Sequence, residues 1–328
     1  MGSEPDLQRV TIVVPVYQGE RTLEALIDEI IPLTSPQHTP RGQAFRVTDV
    51  ILVNDGAIDD STSVMKVIAS KHAFVTPLWL SRNFGQHPAT LAGMASSTGD
   101  WIVTLDEDGQ YNPMDIGAMI DTAEEDGAQL VYARPLNPPP HGWLRNLGSL
   151  TVKTLGRFLA GTNEIGRFSS FRLIRGAIAR SLAAYCGQGV YLDVALSWVV
   201  GKSSLHPVIF RAERGRTSGY DFRRLVAHFW RFILTAGTRP LRIIAILGSL
   251  SIVAAVGISA YAIWLKVAHA VPIQGWTSLV TVVSFFSGII LFSLGVIAEY
   301  LAMTLTMAMG KPLYLIVPGP ASSKTPRP

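Results

Sequence analysis

Two stretches of the chain constrain its fold more than anything else in it. No charged side chain occurs from Ile243 to Leu265, nor again from Trp276 to Ala298. At about 1.5 Å per residue, a helix over either stretch would extend roughly 35 Å, enough to cross a hydrocarbon core of about 30 Å with some tilt. The alternative, a pair of helices buried in a large soluble core, fits less well, because buried helices seldom stay uncharged for so long. Arg223, Arg224, Arg231, Arg239 and Arg242 precede the first stretch and Lys311 follows the second, whereas the loop at 266–275 carries only Lys266 and His269. By the positive-inside rule both termini are expected in the cytoplasm and the short loop outside. The opening MGSEPDLQRV is polar and has no signal-peptide character, so residues 1–242 are expected to stay in the cytoplasm. Just before the first span, DFRRLVAHFWRFIL mixes Phe222, Leu225, Val226, Phe229, Trp230 and Ile233 with arginines. That pattern suits an interfacial helix, aromatics in the acyl boundary and guanidinium groups against anionic headgroups. A packed amphipathic helix of the globular part is the other reading.

The remaining composition excludes several classes. Charged residues are 16% of the 328, against about 25% in an average soluble domain. The length suits about two domains. The single cysteine, Cys186, rules out a disulfide framework or a thiolate metal cluster within one chain, and the seven histidines form no HExxH pattern. A net charge of +4 is too small to indicate nucleic acid, and no nucleic-acid partner is expected.

The first 135 residues alternate apolar runs with helical patterns, as a parallel sheet with crossover helices requires. Strands are expected at 10–16, 49–55, 74–80, 101–106 and 129–133, the third at an edge because of Pro77. Helices are expected at 20–31, 60–70, 87–97 and 113–126, and the Pro-rich run 135–140 reads as a loop over a site. Ligands of such sheets bind beyond the carboxyl ends of the strands. There the chain places Tyr17 and Glu20, then Asn54-Asp55, then Asp106-Glu107-Asp108. The first strand leads into PVYQGE rather than GxGxxG, and Gly201-Lys202-Ser203 lacks the first glycine of a P-loop, with Leu196 in its place. What remains is nucleotide binding through side chains and a metal. Asp106 and Asp108 at a strand end offer hard oxygen ligands suited to Mg²⁺ or Mn²⁺, which can bridge diphosphate oxygens.

The stretches VVPVYQGE (13–20), VNDGAIDDS (53–61), LSRNFGQHPATLAGM (80–94), GDWIVTLDEDGQYNP (99–113), SSFRLIRG (169–176), ERGRTSGY (213–220) and IAEYLAMTLTMAMGKPLYLI (297–316) carry a resemblance over nearly the whole chain. It resembles the polyprenyl-phosphate glycosyltransferases of glycosyltransferase family 2, the dolichyl-phosphate mannosyltransferases and bacterial undecaprenyl-phosphate glycosyltransferases. The resemblance implies an α/β GT-A (Rossmann-like) domain with a mostly parallel sheet over 1–218, interfacial amphipathic helix over 219–240, two transmembrane helices within 241–310 and a cytoplasmic tail over 311–328. It also implies roles. Pro15, Tyr17 and Glu20 would line the nucleotide pocket, and Asp55 would contact the base. Asp106, Asp108 and Gln110 would hold metal and diphosphate. Arg134, Ser169, Ser170 and Arg172 would sit near the sugar and the acceptor phosphate, with Arg214 and Arg216 helping to fix that phosphate or contacting lipid headgroups. A homo-oligomer in a bacterial inner membrane, passing it more than once, completes the expectation.

Two positions depart from the family pattern. Ser170 stands where some relatives carry an aspartate, so a base role does not transfer; an acceptor phosphomonoester, with its second pKa near 6, is mostly a dianion at neutral pH and can act as nucleophile without one. Glu107 stands where relatives often carry a small residue, and would either strengthen metal binding or face solvent. The expected reaction is transfer from a nucleotide-diphospho-sugar, UDP-glucose first, with UDP-N-acetylhexosamine, UDP-aminoarabinose and GDP-mannose as alternatives, to a polyprenyl phosphate. A processive polysaccharide synthase would want QxxRW and more spans. A non-catalytic membrane adaptor would have no reason to keep Asp55, Asp106, Asp108 and Gln110 at converging strand ends.

Overall fold

The computed structural model describes residues 7–137, 167–187, 190–211, 239–269 and 275–320. They fall into two compact units, one built from the residues up to 211 together with 312–320, the other from the long helices between them.

The first unit is a nine-stranded sheet between two helical layers. Its strands are β1 (Gln8–Val16), β2 (Gln37–His38), β3 (Ala44–Asn54), β4 (Val75–Leu80), β5 (Trp101–Thr104), β6 (Leu130–Pro135), β7 (Arg172–Arg175), β8 (Ser203–Val208) and β9 (Ile316–Val317). The order is β8-β6-β7-β5-β1-β3-β4-β9, with β2 on the side of β3. β1 pairs in parallel with β3 and β5, β3 with β4, and β6 with β8, while β7 runs antiparallel between β5 and β6. The sheet is mostly parallel, as expected, and β1 shows why. Val10, Ile12, Val13, Val14 and Val16 are all fully buried, which a strand covered on both faces demands of consecutive residues.

Helices α1 (Leu23–Ile30), α2 (Ser61–Lys71) and α4 (Ile116–Asp126) cover one face; α3 (Gln86–Ala95), α5 (Gly176–Tyr185) and α6 (Leu192–Val199) cover the other. In α1 the buried positions are Leu23, Leu26, Ile27 and Ile30, the spacing of one helix face. The helix starts three residues later than expected because Gly19 carbonyl first accepts from Thr22 and Leu23 in a turn. α4 stops at Gly127, whose φ of 60° is the left-handed C-cap that glycine adopts without strain.

Pro77 does lie in a strand near the sheet margin, but β4 is not the last strand. Residues 312–320, part of the stretch expected as a tail, belong to this unit and lay β9 antiparallel along Trp79 and Leu80. The Gly201-Lys202-Ser203 triplet leads into β8, whose first residue is Ser203, and Gly201 N–H donates to Gln129 Oε1 beside the start of β6. It is therefore at the sheet edge opposite the carboxylates.

The second unit contains α7 (Arg239–His269) and α8 (Trp276–Ala308). Both are longer than the expected spans 243–265 and 276–298. At about 1.5 Å per residue they extend roughly 46 and 50 Å. Their most apolar windows are Ile244–Tyr261 and Phe285–Ala308. Large apolar side chains point outward along both, among them Ile246, Val253, Tyr261, Phe285, Leu291 and Leu301. None of the first window and almost none of the second is buried, which is the reverse of a soluble core helix.

Candidate active site

The parallel strands deliver their carboxyl ends to one edge of the sheet, and the chemistry gathers there. β1 ends into Tyr17-Gln18-Gly19, β3 into Asn54-Asp55, β4 into a turn leading to α3, and β5 into Leu105 and Asp106-Glu107-Asp108. β7 begins at this edge, so Arg172 enters it from the opposite direction, beside Thr104 and Tyr132.

Asp106 is held from three sides. Its Oδ1 accepts from Gln86 Nε2 at 2.6 Å, and the Ser170 side chain and the Arg172 guanidinium both favour its charged form. Burial nonetheless outweighs these partners and pushes its carboxyl above the ordinary carboxylate range. Asp108 Oδ1 accepts the Gln110 N–H at 3.0 Å, closing a tight turn through Gly109, whose φ is 68°. Tyr111 follows; its hydroxyl lies 3.0 Å from Ser169 Oγ. Burial raises the Tyr111 hydroxyl, and the charges of Asp106 and Asp108 both add to that rise. Asp106, Asp108, Gln110, Ser169, Ser170 and Arg172 are thus brought together.

Arg172 is 4% exposed. Its Nη1 lies 2.8 Å from Asp193 Oδ1 on α6, and Tyr132 hydroxyl donates to the same oxygen at 3.1 Å. Burial raises the Asp193 carboxyl while Arg172 opposes the shift. Among the described residues Arg172 Nε has no hydrogen-bond acceptor. One buried guanidinium therefore stands against two carboxylates, the buried Asp193 and the half-buried Asp106.

That imbalance is the test of a cation here. Among the described residues no cluster of three His, Cys, Asp or Glu could form a closed cage. Two adjacent carboxylates suit Mg²⁺ or Mn²⁺ held jointly by protein, water and substrate phosphate, the usual mode for such ions beside a diphosphate. The excess negative charge on the buried side is what such an ion would offset, so Asp106 and Asp108 fit it, with Gln110 on the same turn.

Glu107 does neither of the things expected of it. Its two oxygens accept the N–H groups of Tyr17 and Gln18, each at 2.9 Å, so it clamps the turn after β1. Gly19 is required by the same packing: a Cβ there would meet Glu107 Oε2 at 2.8 Å. Burial drives the Glu107 carboxyl up to about 7, against the two backbone N–H groups that favour the anion, with Asp59 and Asp106 adding to the rise. Folding thus favours its protonated form. The sign follows: stability from this group is lost as pH rises from its ordinary 4.5 through about 7. Glu107→Gln keeps one acceptor and leaves one buried N–H of the Tyr17 turn opposed by an amide, at about 1–3 kcal/mol. We expect the donor KM to rise roughly tenfold with the metal requirement unchanged, measured by initial rates across donor concentration.

Asp55 is 3% exposed, and its two oxygens accept from Phe84 N–H at 2.6 Å and Gly85 N–H at 2.8 Å. It is raised by burial and lowered by those bonds. Asp55 therefore holds the turn that aims Gln86 at Asp106. Pro15 lies in β1 beside Val53, and Tyr17 is half-buried at its end. Glu20 is exposed; its N–H donates to Asp59 Oδ2, and its Oε2 accepts from Asp60 N–H. Arg134 is exposed near the end of β6 and is not drawn into the cluster. Arg214, Arg216 and the expected interfacial helix over 219–240 lie outside the described residues, apart from Arg239 and Pro240, which open α7.

Glu107, Gln86, Tyr111 and Asp193 are the site residues that the expectations missed or misread. Gln86 and Tyr111 lie within motifs quoted above, whereas nothing in the sequence marks Asp193.

Residues 11–182 match the family model described as glycosyl transferase family 2. The chain is 26% identical over 316 residues to an undecaprenyl-phosphate 4-deoxy-4-formamido-L-arabinose transferase of Pectobacterium atrosepticum, covering 95% of this chain and 93% of that protein. It is 25% identical over 312 residues to a prophage bactoprenol glucosyl transferase homolog of Escherichia coli, covering 94% and 98%. Among solved structures, the glucosyl-3-phosphoglycerate synthase of Mycobacterium tuberculosis in complex with Mn²⁺, UDP-glucose and phosphoglyceric acid is similar with a TM-score of 0.49 and 18% identity, over 71% of this chain and 79% of that one.

Proposed function

Because the chain belongs to glycosyl transferase family 2, we propose that this glycosyltransferase moves a sugar from a nucleotide-diphospho-sugar to a polyprenyl phosphate at a membrane surface. The observation that carries the reading is the convergence of Asp106, Asp108, Tyr111, Ser169, Ser170 and Arg172 at the carboxyl edge of the sheet. Relatives of nearly equal length named for undecaprenyl-phosphate and bactoprenol transfer support the acceptor. So do two helices whose apolar side chains face outward along their length, because a lipid substrate needs its enzyme at the bilayer.

In this mechanism an acceptor phosphate oxygen attacks the anomeric carbon as the bond from that carbon to the diphosphate oxygen breaks, and the nucleoside diphosphate departs. A bound Mg²⁺ or Mn²⁺ would neutralise the developing charge on the leaving diphosphate. Asp106 and Asp108 would hold it. Tyr17, on the turn clamped by Glu107, and Asp55, through the turn it holds, would serve the nucleotide end. Arg172, with an unpartnered Nε and a fixed guanidinium plane, supplies buried positive charge against the phosphate that attacks, with Ser169 and Ser170 beside it. The acceptor arrives as a dianion at neutral pH, so positioning and charge stabilisation carry the step. Arg134, Arg214 and Arg216 are proposed as further acceptor contacts.

The folded unit that contains β1 through β8 also contains β9. That shared unit supports an even number of crossings between β8 and β9. Together with the basic flanks this supports a cytoplasmic catalytic unit in a bacterial inner membrane. Glucose on UDP is the first donor; the formamido-arabinose relative favours an amino-sugar derivative of arabinose as second. The test is the full-length protein in detergent or liposomes with undecaprenyl phosphate, Mn²⁺ or Mg²⁺ and a panel of radiolabelled nucleotide sugars. Label is expected to move into organic solvent from one donor and to stop on chelation. Absence of transfer from every donor would overturn the reading.

A further inference from the structure

The chain re-enters the catalytic unit immediately after α8, and where it lands has a consequence for the donor side of the site. Leu313 and Tyr314 pack on the core layer that also holds Val13, Val53 and Phe84. Leu315 carbonyl accepts the Ser81 N–H at 2.9 Å, and Ile316–Val317 pair with Leu80 and Trp79. Gly319 lies against the Trp79 indole so closely that a Cβ would meet Cδ1 at 2.8 Å and press harder still on Nε1. Lys66 Nζ then donates to Pro320 carbonyl at 2.7 Å. The segment thus grips the end of β4 at three successive points.

The end of β4 is the root of a turn that the site depends on. From Ser81 the chain runs through Arg82, stacked 4.2 Å over the Phe84 ring, to the Phe84 and Gly85 N–H groups held by Asp55, and on to Gln86, which reaches Asp106. A bare β4 margin would leave the Ser81 N–H, where this path begins, and the outer edge of Trp79 and Leu80 without these partners. We infer that residues 312–320 act as a positioning strap for the donor half of the active site, fixing the Ser81–Gln86 turn so that Asp55 and Asp106 keep their geometry. The inference builds on the donor assignment made above, but its structural half can be read without any transfer.

The experiment compares the full chain with three variants in the same membranes or detergent: a chain ending at Lys311, a chain ending at Pro320, and Gly319→Val, which forces the strap off Trp79 without touching the site. Deuterium uptake is followed over peptides spanning Ser81–Gln86, and transfer kinetics are followed for donor and acceptor separately. With the strap lost or displaced, the Phe84 and Gly85 amides are expected to exchange faster. Transfer efficiency toward the donor is expected to fall about 10²-fold, the scale of a misplacement of about 1 Å. The fall should appear in donor KM, with acceptor KM unmoved; the chain ending at Pro320 should match the full chain. A strap that only stabilised the fold would lower the active fraction, reducing kcat and leaving both KM values unchanged, and that result overturns the inference. So does unchanged exchange over Ser81–Gln86 in Gly319→Val, which covers the case where the shorter chain does not fold. If the full chain transfers no sugar at all, the proposed function fails, while the exchange comparison still decides the strap.

Discussion

Asp108→Asn is expected to lower sugar transfer by about 10³-fold, the several kcal/mol that a lost cation contact contributes to a leaving diphosphate. The substitution is clean for a structural reason. Asn retains an Oδ1 that can accept the Gln110 N–H, so the turn through Gly109 stays closed, and only charge is removed. The same exchange at Asp106 would be harder to read, because an amide there would turn an N–H₂ toward Gln86 Nε2 or Ser170. The measurement is kcat for transfer over a Mn²⁺ titration, with membrane insertion and thermal unfolding as controls. Turnover within tenfold of the parent protein, with unaltered metal dependence, would remove Asp108 from the cation site.

Arg172→Ala is expected to have the largest effect on stability. It leaves the buried Asp193 without its guanidinium partner, a loss of about 3–5 kcal/mol when one partner of a buried pair is removed, and takes the same positive charge away from the half-buried Asp106. Both carboxyls are already pushed up by burial, and Arg172 is among the groups holding them down. Removing it raises them further, so the native state of the variant binds more protons than its unfolded chain. Its stability is then expected to fall as pH rises above the ordinary carboxylate range, more steeply than in the parent. Denaturant unfolding at pH 5 and pH 8 reads this directly. Arg172→Met combined with Asp193→Leu, an apolar pair of similar bulk, is expected to recover most of the stability and none of the transfer. Recovery of transfer in that double variant would show that the guanidinium serves packing alone.

Much of this fold could be read from side-chain pattern, and the limits of that reading are physical. β1, β3, β4, β5 and β6 announce themselves because strands covered on both faces need uninterrupted apolar runs, and the helices between them keep one buried face. The carboxylates at 55, 106 and 108 are legible for the same reason: a polar cluster directly after such a run falls at the sheet edge. β7 is four residues long and begins with a buried arginine, so it carries no strand signature, and neither does its reversed direction. β9 is two residues, far along the chain from its partner β4. Glu107 was misread because its partners are main-chain N–H groups ninety positions away, and main-chain groups have no sequence identity. Arg172 was legible as part of a motif, but Asp193, which faces it, lies in an otherwise apolar helix and has no motif to mark it.

The late return of the chain to its first sheet also orders biosynthesis. On the ribosome the residues of β9 emerge only after both apolar helices have been made. A chain cut short before Ile316 therefore lacks the last strand of this sheet even when every other strand is complete. Completion of the first unit thus waits on synthesis of the second, and a chain terminated within either long helix would carry a bare sheet margin at β4.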